Sequence, residues 1–231
     1  MIALPSPVEG SFMSEQTILI FANGSLHHQA WIRRLATQAD MIIAADGGLA
    51  HIQALDLKPD LLIGDLDSVT PGQVRWAEQQ AAEVRRFPQD KNETDLELAL
   101  VAAAAANPRH IIVTAALGGR LDQTLANIFL LNLPQLAKID ARIEDGRQEV
   151  LMVRQWIELL GELGDTVSLL PLSPLVKGIT TNGLEYPLNN ENLAFNHTRG
   201  ISNRMTGTTA RIEIQSGTLI CIHERTGYRD E

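Results

Sequence analysis

From Thr17 onward, short aliphatic runs bounded by turn residues alternate with longer segments of helical period. That alternation restricts the first half of the chain to a parallel α/β sheet, because parallel neighbours need a crossover between them, usually a helix. The runs TILIF (17–21), MIIAA (41–45), DLLIG (60–64), EVRRF (83–87), HIIVTA (110–115) and KIDARIE (138–144) read as its strands. Thr70 followed by Pro71 and Gln73, and Thr94 followed by Glu97, carry the capping-box pattern that opens helices. Asn107-Pro108 ends an alanine-rich helix that begins near Asp95, and Pro134 closes the next, which runs through 128–133.

After about Gly146 the helical period gives way to short alternating segments, VLMVR, TVSLLPL, VKGITT, ARIEI and TLICI, with turns at Asn182-Gly183 and Gln215-Ser216-Gly217. The expected fold is therefore an α/β N-terminal domain with a parallel, Rossmann-like sheet, followed by an all-β, sandwich-like C-terminal domain. The boundaries expected are 17–145 and 146–231, with residues 1–16 a tail that includes a second methionine, Met13. Trp31, Trp76 and Trp156 are expected in the core, and Cys221 as a small buried hydrophobe.

Composition bounds the function. The 19 basic residues against 28 acidic ones give a net charge of −9, which disfavours a nucleic-acid surface. Cys221 is the sole cysteine, so neither an internal disulfide nor a zinc site of several thiolates can form. No apolar run approaches the ~18 residues of a membrane helix, and no basic start followed by an apolar stretch marks a secretory signal. A cytoplasmic location without a membrane partner is the expectation.

Nearly every strand-to-helix junction of the first half carries a polar cluster: Asn23-Gly24, Asp46-Gly47-Gly48, Asp65 to Ser68, Gln89 to Asp95, and Gly118 to Asp122. In a parallel sheet these junctions share one edge, the edge at which open α/β folds bind ligands. Carboxylates gathered there repel one another, so a cation is expected among them, and hard oxygen ligands select magnesium or manganese. Glycine pairs let backbone N–H groups approach a phosphate, and Lys91 and Arg120 are the obvious positive charges. The pattern points to a nucleoside triphosphate with a metal, yet neither G-x-x-x-x-G-K-[ST] nor G-x-G-x-x-G occurs. Asp46 and Asp122 taken singly read equally well as helix caps.

The segments ADGG, PDLLIGDLDS, DKNETDLELAL, GGRLDQTLAN, GLEYPL and GISN, in this order, resemble the thiamine pyrophosphokinase family over residues 17–223. The resemblance implies a homodimer that binds ATP and Mg2+ in the α/β domain and thiamine in a cleft between subunits. It implies transfer of the β,γ-pyrophosphoryl group of ATP to the thiamine hydroxyl, giving thiamine diphosphate and AMP. By resemblance Asp65, Asp67 and Asp95 hold magnesium, while Asp46, with Gly47 and Gly48, lies near nucleotide and metal. Lys91 and Arg120 balance phosphate charge, Asp122 orients Arg120 or lies near the thiamine hydroxyl, and Ser202 and Asn203 bind thiamine.

Three positions depart from the family pattern. Asn92 stands where many relatives carry Asp, and Gln123 replaces a common His. TLICI lacks the tryptophan that some relatives place against thiamine, leaving Ile220 to pack there. Two alternatives stay open at this level: the same chemistry on another alcohol such as a hydroxymethylpterin, and a nucleotide- or thiamine-binding module without turnover.

Overall fold

The structure, a computed structural model, describes residues 14–227. The first half alternates as its sequence requires: β1 (Ser14–Phe21), α1 (Gln29–Ala36), β2 (Met41–Ala45), α2 (Leu49–Ala54), β3 (Leu61–Gly64), α3 (Pro71–Gln79), β4 (Glu83–Arg86), α4 (Asp95–Ala105), β5 (Pro108–Thr114), α5 (Leu121–Leu130) and β6 (Asp140–Glu144). These six strands pair in parallel in the order β6-β5-β1-β2-β3-β4.

Burial on both faces explains the unbroken aliphatic runs. Ile18 and Ile20 enter the core under α4, whereas Leu19 and Phe21 enter the core under α1 and α2. All four are fully buried, and at roughly 1.5–3 kcal/mol per buried side chain a one-residue slip of β1 gains nothing and breaks two cores. The capping box at Thr70 forms in full, and at Thr94 the hydroxyl accepts the Glu97 N–H at 3.2 Å.

The second half contributes β7 (Gln148–Val153), β8 (Trp156–Leu160), β9 (Thr166–Pro171), β10 (Leu175–Asn182), β11 (Glu191–Ala194), β12 (Asn203–Arg204), β13 (Thr209–Glu213) and β14 (Leu219–Glu224). Strand β7 folds back against β6 through a tight turn in which Gly146 takes φ +97°, a conformation that favours glycine. The large sheet thereby continues without a break, as ten strands in the order β12-β9-β14-β7-β6-β5-β1-β2-β3-β4. A second sheet, β11-β10-β13-β8, lies over the antiparallel end and completes a sandwich around Val153, Leu169, Val176, Ile179 and Ile212.

Several expectations change. Strand β1 opens at Ser14, so residues 14–16 belong to the sheet, and residues 1–13 of the expected tail lie outside the described residues. Helix α5 ends at Leu130, and Pro134 opens a short 3-10 turn instead of closing the helix, because its fixed φ suits a first helical position. Trp156 is exposed on edge strand β8 under the Arg211 guanidinium, 4.7 Å from the ring centroid. Cys221 is buried, and burial pushes its thiol pKa up. Ile220 is buried, in the core cluster shared with α4. Among the described residues no helix is long and apolar enough to cross a membrane.

Because one backbone ladder joins the two halves, urea unfolding should give one transition. Far-ultraviolet circular dichroism and tryptophan fluorescence should report the same midpoint, and two separated transitions would contradict mechanical continuity of the sheet.

Candidate active site

The strand order reverses between β1 and β5, where successive connections pass to opposite faces of the sheet and leave a crevice at the carboxyl ends. A cavity of about 890 Å3 opens at that point, lined by Asn23 and Ser25 after β1, Asp46 after β2, Asp65 and Asp67 after β3, Lys91 before α4 and Asp95 at its first position, and Gly118 to Arg120 after β5. A larger groove of about 1170 Å3 runs between α1 and β8. Its Arg142 and Arg225 are bonded to Glu144 and Glu149, so the strand-end cavity is the one with carboxylates awaiting a partner.

Asp46, Asp65 and Asp67 each place a carboxylate oxygen within 4.8 Å of the others. Two backbone conformations support this. Asp46 has φ +45° and Leu66 φ +65°, left-handed values that cost non-glycine residues on the order of 1 kcal/mol each. Gly64 leaves the space in which Asp95 sits: a Cβ there would lie 2.9 Å from Asp95 Oδ1. Lys91 Nζ bridges Asp65 Oδ2 at 3.2 Å and Asp95 Oδ1 at 3.0 Å, and the Asp65 N–H donates to the same Asp95 oxygen at 3.2 Å. Gln89 donates to Asp67 at 2.8 Å.

Four carboxylates with one ammonium leave an excess of negative charge, and at ~4 Å each like pair costs about 4 kcal/mol at an effective dielectric near 20. The titration directions follow. Burial, reinforced by neighbouring carboxylates, raises the Asp46 pKa above the usual carboxylate range. Burial also opposes ionisation of Asp65, but the Asp67 N–H and Lys91 outweigh it and hold its pKa low. The same ion pairs hold Lys91 charged against its own desolvation. Asp46 Oδ1 is buried without a hydrogen-bond partner. A buried orphan oxygen beside two further carboxylates fits a hard divalent cation bound through oxygen.

The glycine pairs divide. Gly118 and Gly119 line the cavity at φ +82° and +70°, and the space where a Gly119 Cβ would sit is open. Gly47 and Gly48 do not line it: a Cβ on Gly48 would lie 2.0 Å from the Phe21 carbonyl, and one on Gly47 2.4 Å from the Asn23 side chain. At both positions a side chain would meet the neighbouring backbone or Asn23, so the absence of a Cβ permits close packing beneath the site. Arg120 faces the cavity and grips Asp122 with Nε–Oδ1 at 3.1 Å and Nη2–Oδ2 at 2.5 Å. Hydrogen bonds from Arg120 hold the exposed Asp122 carboxyl below its usual range. Asp122 pairs with Arg120 and is not among the residues lining the cavity. Gln89, Gln123 and Asn127 also line the cavity, and as amides they carry no charge signal in the sequence.

Ser202 and Asn203 are not brought to this cavity. They lie at β12, the opposite end of the ten-stranded sheet from β3. There the GISN and GLEYPL segments meet: Asn203 Oδ1 accepts the Tyr186 N–H at 3.0 Å, and its Nδ2 donates to the Tyr186 carbonyl at 2.7 Å. Ser202 adopts φ +59° and donates its N–H to Ser168 Oγ at 3.0 Å.

Comparison with known proteins gives a consistent result. Residues 32–143 match the catalytic domain of thiamin pyrophosphokinase, and residues 156–219 match its vitamin B1 binding domain. The chain is 28% identical over 209 residues to thiamine pyrophosphokinase from Bacillus subtilis (strain 168), covering 90% of this chain and 98% of that one. It is 26% identical over 219 residues to thiamine pyrophosphokinase 2 of Oryza sativa subsp. japonica, covering 84% and 82%. The crystal structure of the Bacillus subtilis enzyme superposes with a TM-score of 0.80 at 29% identity, covering 91% of this chain and all of that one. A Geobacillus thermodenitrificans structure at 24% identity shares the fold with a TM-score of 0.78, covering 92% and 99%. With a catalytic match over the carboxylate-bearing half and a vitamin-binding match over the sandwich, the chain belongs to the thiamin pyrophosphokinase family.

Proposed function

We propose that the chain transfers the pyrophosphoryl group of ATP to the hydroxyl of thiamine, giving thiamine diphosphate and AMP. The observation that carries this reading is the Asp46–Asp65–Asp67 cluster with Lys91 at the crevice of a parallel sheet, opposite the Gly118–Arg120 turn. Asp46, Asp65 and Asp67, with Asp95 beside them, would hold Mg2+, which when bound neutralises phosphate oxygens. Lys91 lies where a phosphate chain crosses the rim, and Arg120, held in orientation by Asp122, faces the phosphates from the other wall. Backbone N–H groups at Gly118 and Gly119 add donors without bulk. The protein's contribution is alignment and charge, because phosphoryl transfer asks for little covalent help. In this division of labour residues 17–145 hold nucleotide and metal, and residues 146–231 hold thiamine.

A homodimer completes the reading. Eight strand spacings of ~4.8 Å separate β12 from β3 and five separate it from β5, so the two walls of the phosphate site lie on the order of 20–40 Å from β12 in a twisted sheet. Ser202 and Asn203 therefore meet the phosphate site of a second copy and not their own. Helix α5, which starts at that site, has no buried residue and leaves Leu121, Leu125 and Phe129 as an uncovered apolar stripe at four-residue spacing. Tyr186 and Ile201, flanking Asn203 and Ser202, are likewise exposed. We assign the stripe to the second copy.

Purified protein with ATP, Mg2+ and thiamine should yield AMP and thiamine diphosphate in equal amounts. Turnover should stop on chelation and return with added Mg2+; AMP without a thiamine product would point to another alcohol, and no turnover to a binding module. Asp67→Asn should lower kcat/KM at least about 100-fold while the metal-free protein melts no earlier than the parent, since one of several close like charges is gone. Near-parental activity at saturating Mg2+ would remove Asp67 from the ligand set. Leu125→Asp should give a folded monomer by analytical ultracentrifugation, with activity lost in proportion to dimer. A fully active monomer would contradict the shared site.

A further inference from the structure

We infer that His223, through Asp165, is a positioning residue for thiamine, fixing the short strand on which Ser202 and Asn203 are carried. The inference rests on the proposed reading that Ser202 and Asn203 meet thiamine. His223 on β14 is fully buried, with Nε2 3.0 Å from Asp165 Oδ2 and Nδ1 3.4 Å from Glu149 Oε2. Asp165, also buried, accepts the Glu162 N–H on Oδ2 at 2.9 Å and the Thr226 N–H and hydroxyl on Oδ1 at 2.8 and 3.1 Å. Gly161 closes the arrangement, since a Cβ there would lie 2.6 Å from Asp165 Oδ2 and 2.8 Å from His223 Nε2.

The consequence lies one strand away. The Asp165 carbonyl accepts the Met205 N–H at 2.8 Å, and the Gly164 N–H donates to the Met205 carbonyl at 2.9 Å. Strand β12 is two residues long and has the start of β9 as its ladder partner, with Asn203 facing Val167 and Arg204 facing Thr166, while on its other side the Arg204 carbonyl accepts the Glu185 N–H at 2.9 Å. Val167 in turn faces His223, and His223 faces Glu149. A two-residue strand has little hold of its own; segment 183–186 bonds it on one side and segment 164–167 on the other, and the second is the tie to the buried protein, because the His223–Asp165 pair fixes it.

The contact works best with imidazolium, because only that form donates from both nitrogens to two carboxylates. The charged groups facing His223 are Glu149 from β7, Asp165 from the loop before β9, and Arg225 just beyond β14; Cys221, two residues away on the same strand, is neutral. Burial opposes the charge on His223, but Glu149 and Asp165 overcome it and raise its pKa above the ordinary imidazole value. A group raised in the folded state stabilises fully below its unfolded pKa, and this contribution is lost as pH rises through the folded value. Glu149 and Asp165 are held low despite burial, so their contribution is lost only as pH falls through those lowered values.

The test is steady-state kinetics of the full-length enzyme against pH, varying thiamine and ATP separately, for the parent, His223→Gln, Thr226→Val and Asn203→Ala. In the parent, thiamine KM should be flat near neutrality and rise at alkaline pH while ATP KM stays level. His223→Gln should show a thiamine KM raised about 5- to 10-fold at neutral pH without the alkaline rise, and an ATP KM within about two-fold of the parent. Thr226→Val, which loses one donor to Asp165, should show a smaller rise confined to thiamine. A loss of kcat alone, or equal rises in both KM values, would make His223 structural only and overturn the inference. If His223→Gln does not fold, a parent thiamine KM level across the range, or an unchanged Thr226→Val, overturns it equally. Asn203→Ala separates the two levels: if its thiamine KM is unchanged, the reading of β12 fails, and if its KM rises while that of His223→Gln does not, the positioning inference alone fails.

Discussion

Parallel pairing of β1 to β6 is the constraint from which the site follows. Parallel strands point their carboxyl ends the same way, so residues spread from Asn23 to Arg120 in sequence meet at one edge. The order then reverses between β1 and β5, which opens the crevice and leaves no covering helix over it. Carboxylates distant in sequence are held within a few ångström, and their mutual repulsion is the kind that a bound cation relieves.

The repulsion is only partly relieved by the protein itself. Lys91 bridges Asp65 and Asp95, yet Asp46 retains a buried oxygen without a donor, and Arg120 is already matched by Asp122. Left-handed backbone at Asp46 and Leu66 adds strain at the same place. A fold that aimed only at stability would have placed neutral side chains there; instability concentrated at one cavity marks the place where binding supplies the missing interactions.

The continuation of the sheet through β7 has the opposite character. Its turn at Gly146, and the bonds among Arg142, Arg225, Glu144 and Glu149, join the two halves with most charges matched. Trp31 on α1 donates to Glu144 at 2.8 Å, which ties the α/β half to the same group. The strand-end cavity keeps carboxylates without partners while the junction of the halves has most of its charges matched, and eight strand spacings separate β3 from β12.

The sequence by itself determined the local elements and the chemistry of the strand ends. Aliphatic runs placed β1 to β6, the Thr70 and Thr94 caps placed α3 and α4, and acidic residues after those runs marked the carboxylate-bearing edge, because period, capping and charge are all local signals. Short strands such as β11 and β12, the exposure of Trp156 and the true end of α5 were not legible, since each depends on which neighbour the chain meets. The tertiary structure alone decided what packs against Gly47 and Gly48, and that Ser202 and Asn203 lie eight strand spacings from Asp65. It alone paired His223 with Asp165 and Glu149, from strands and a loop separated by 58 and 74 positions. Those facts are contacts between distant segments, and their cause is the register and packing of the sheets, which no short window of residues contains.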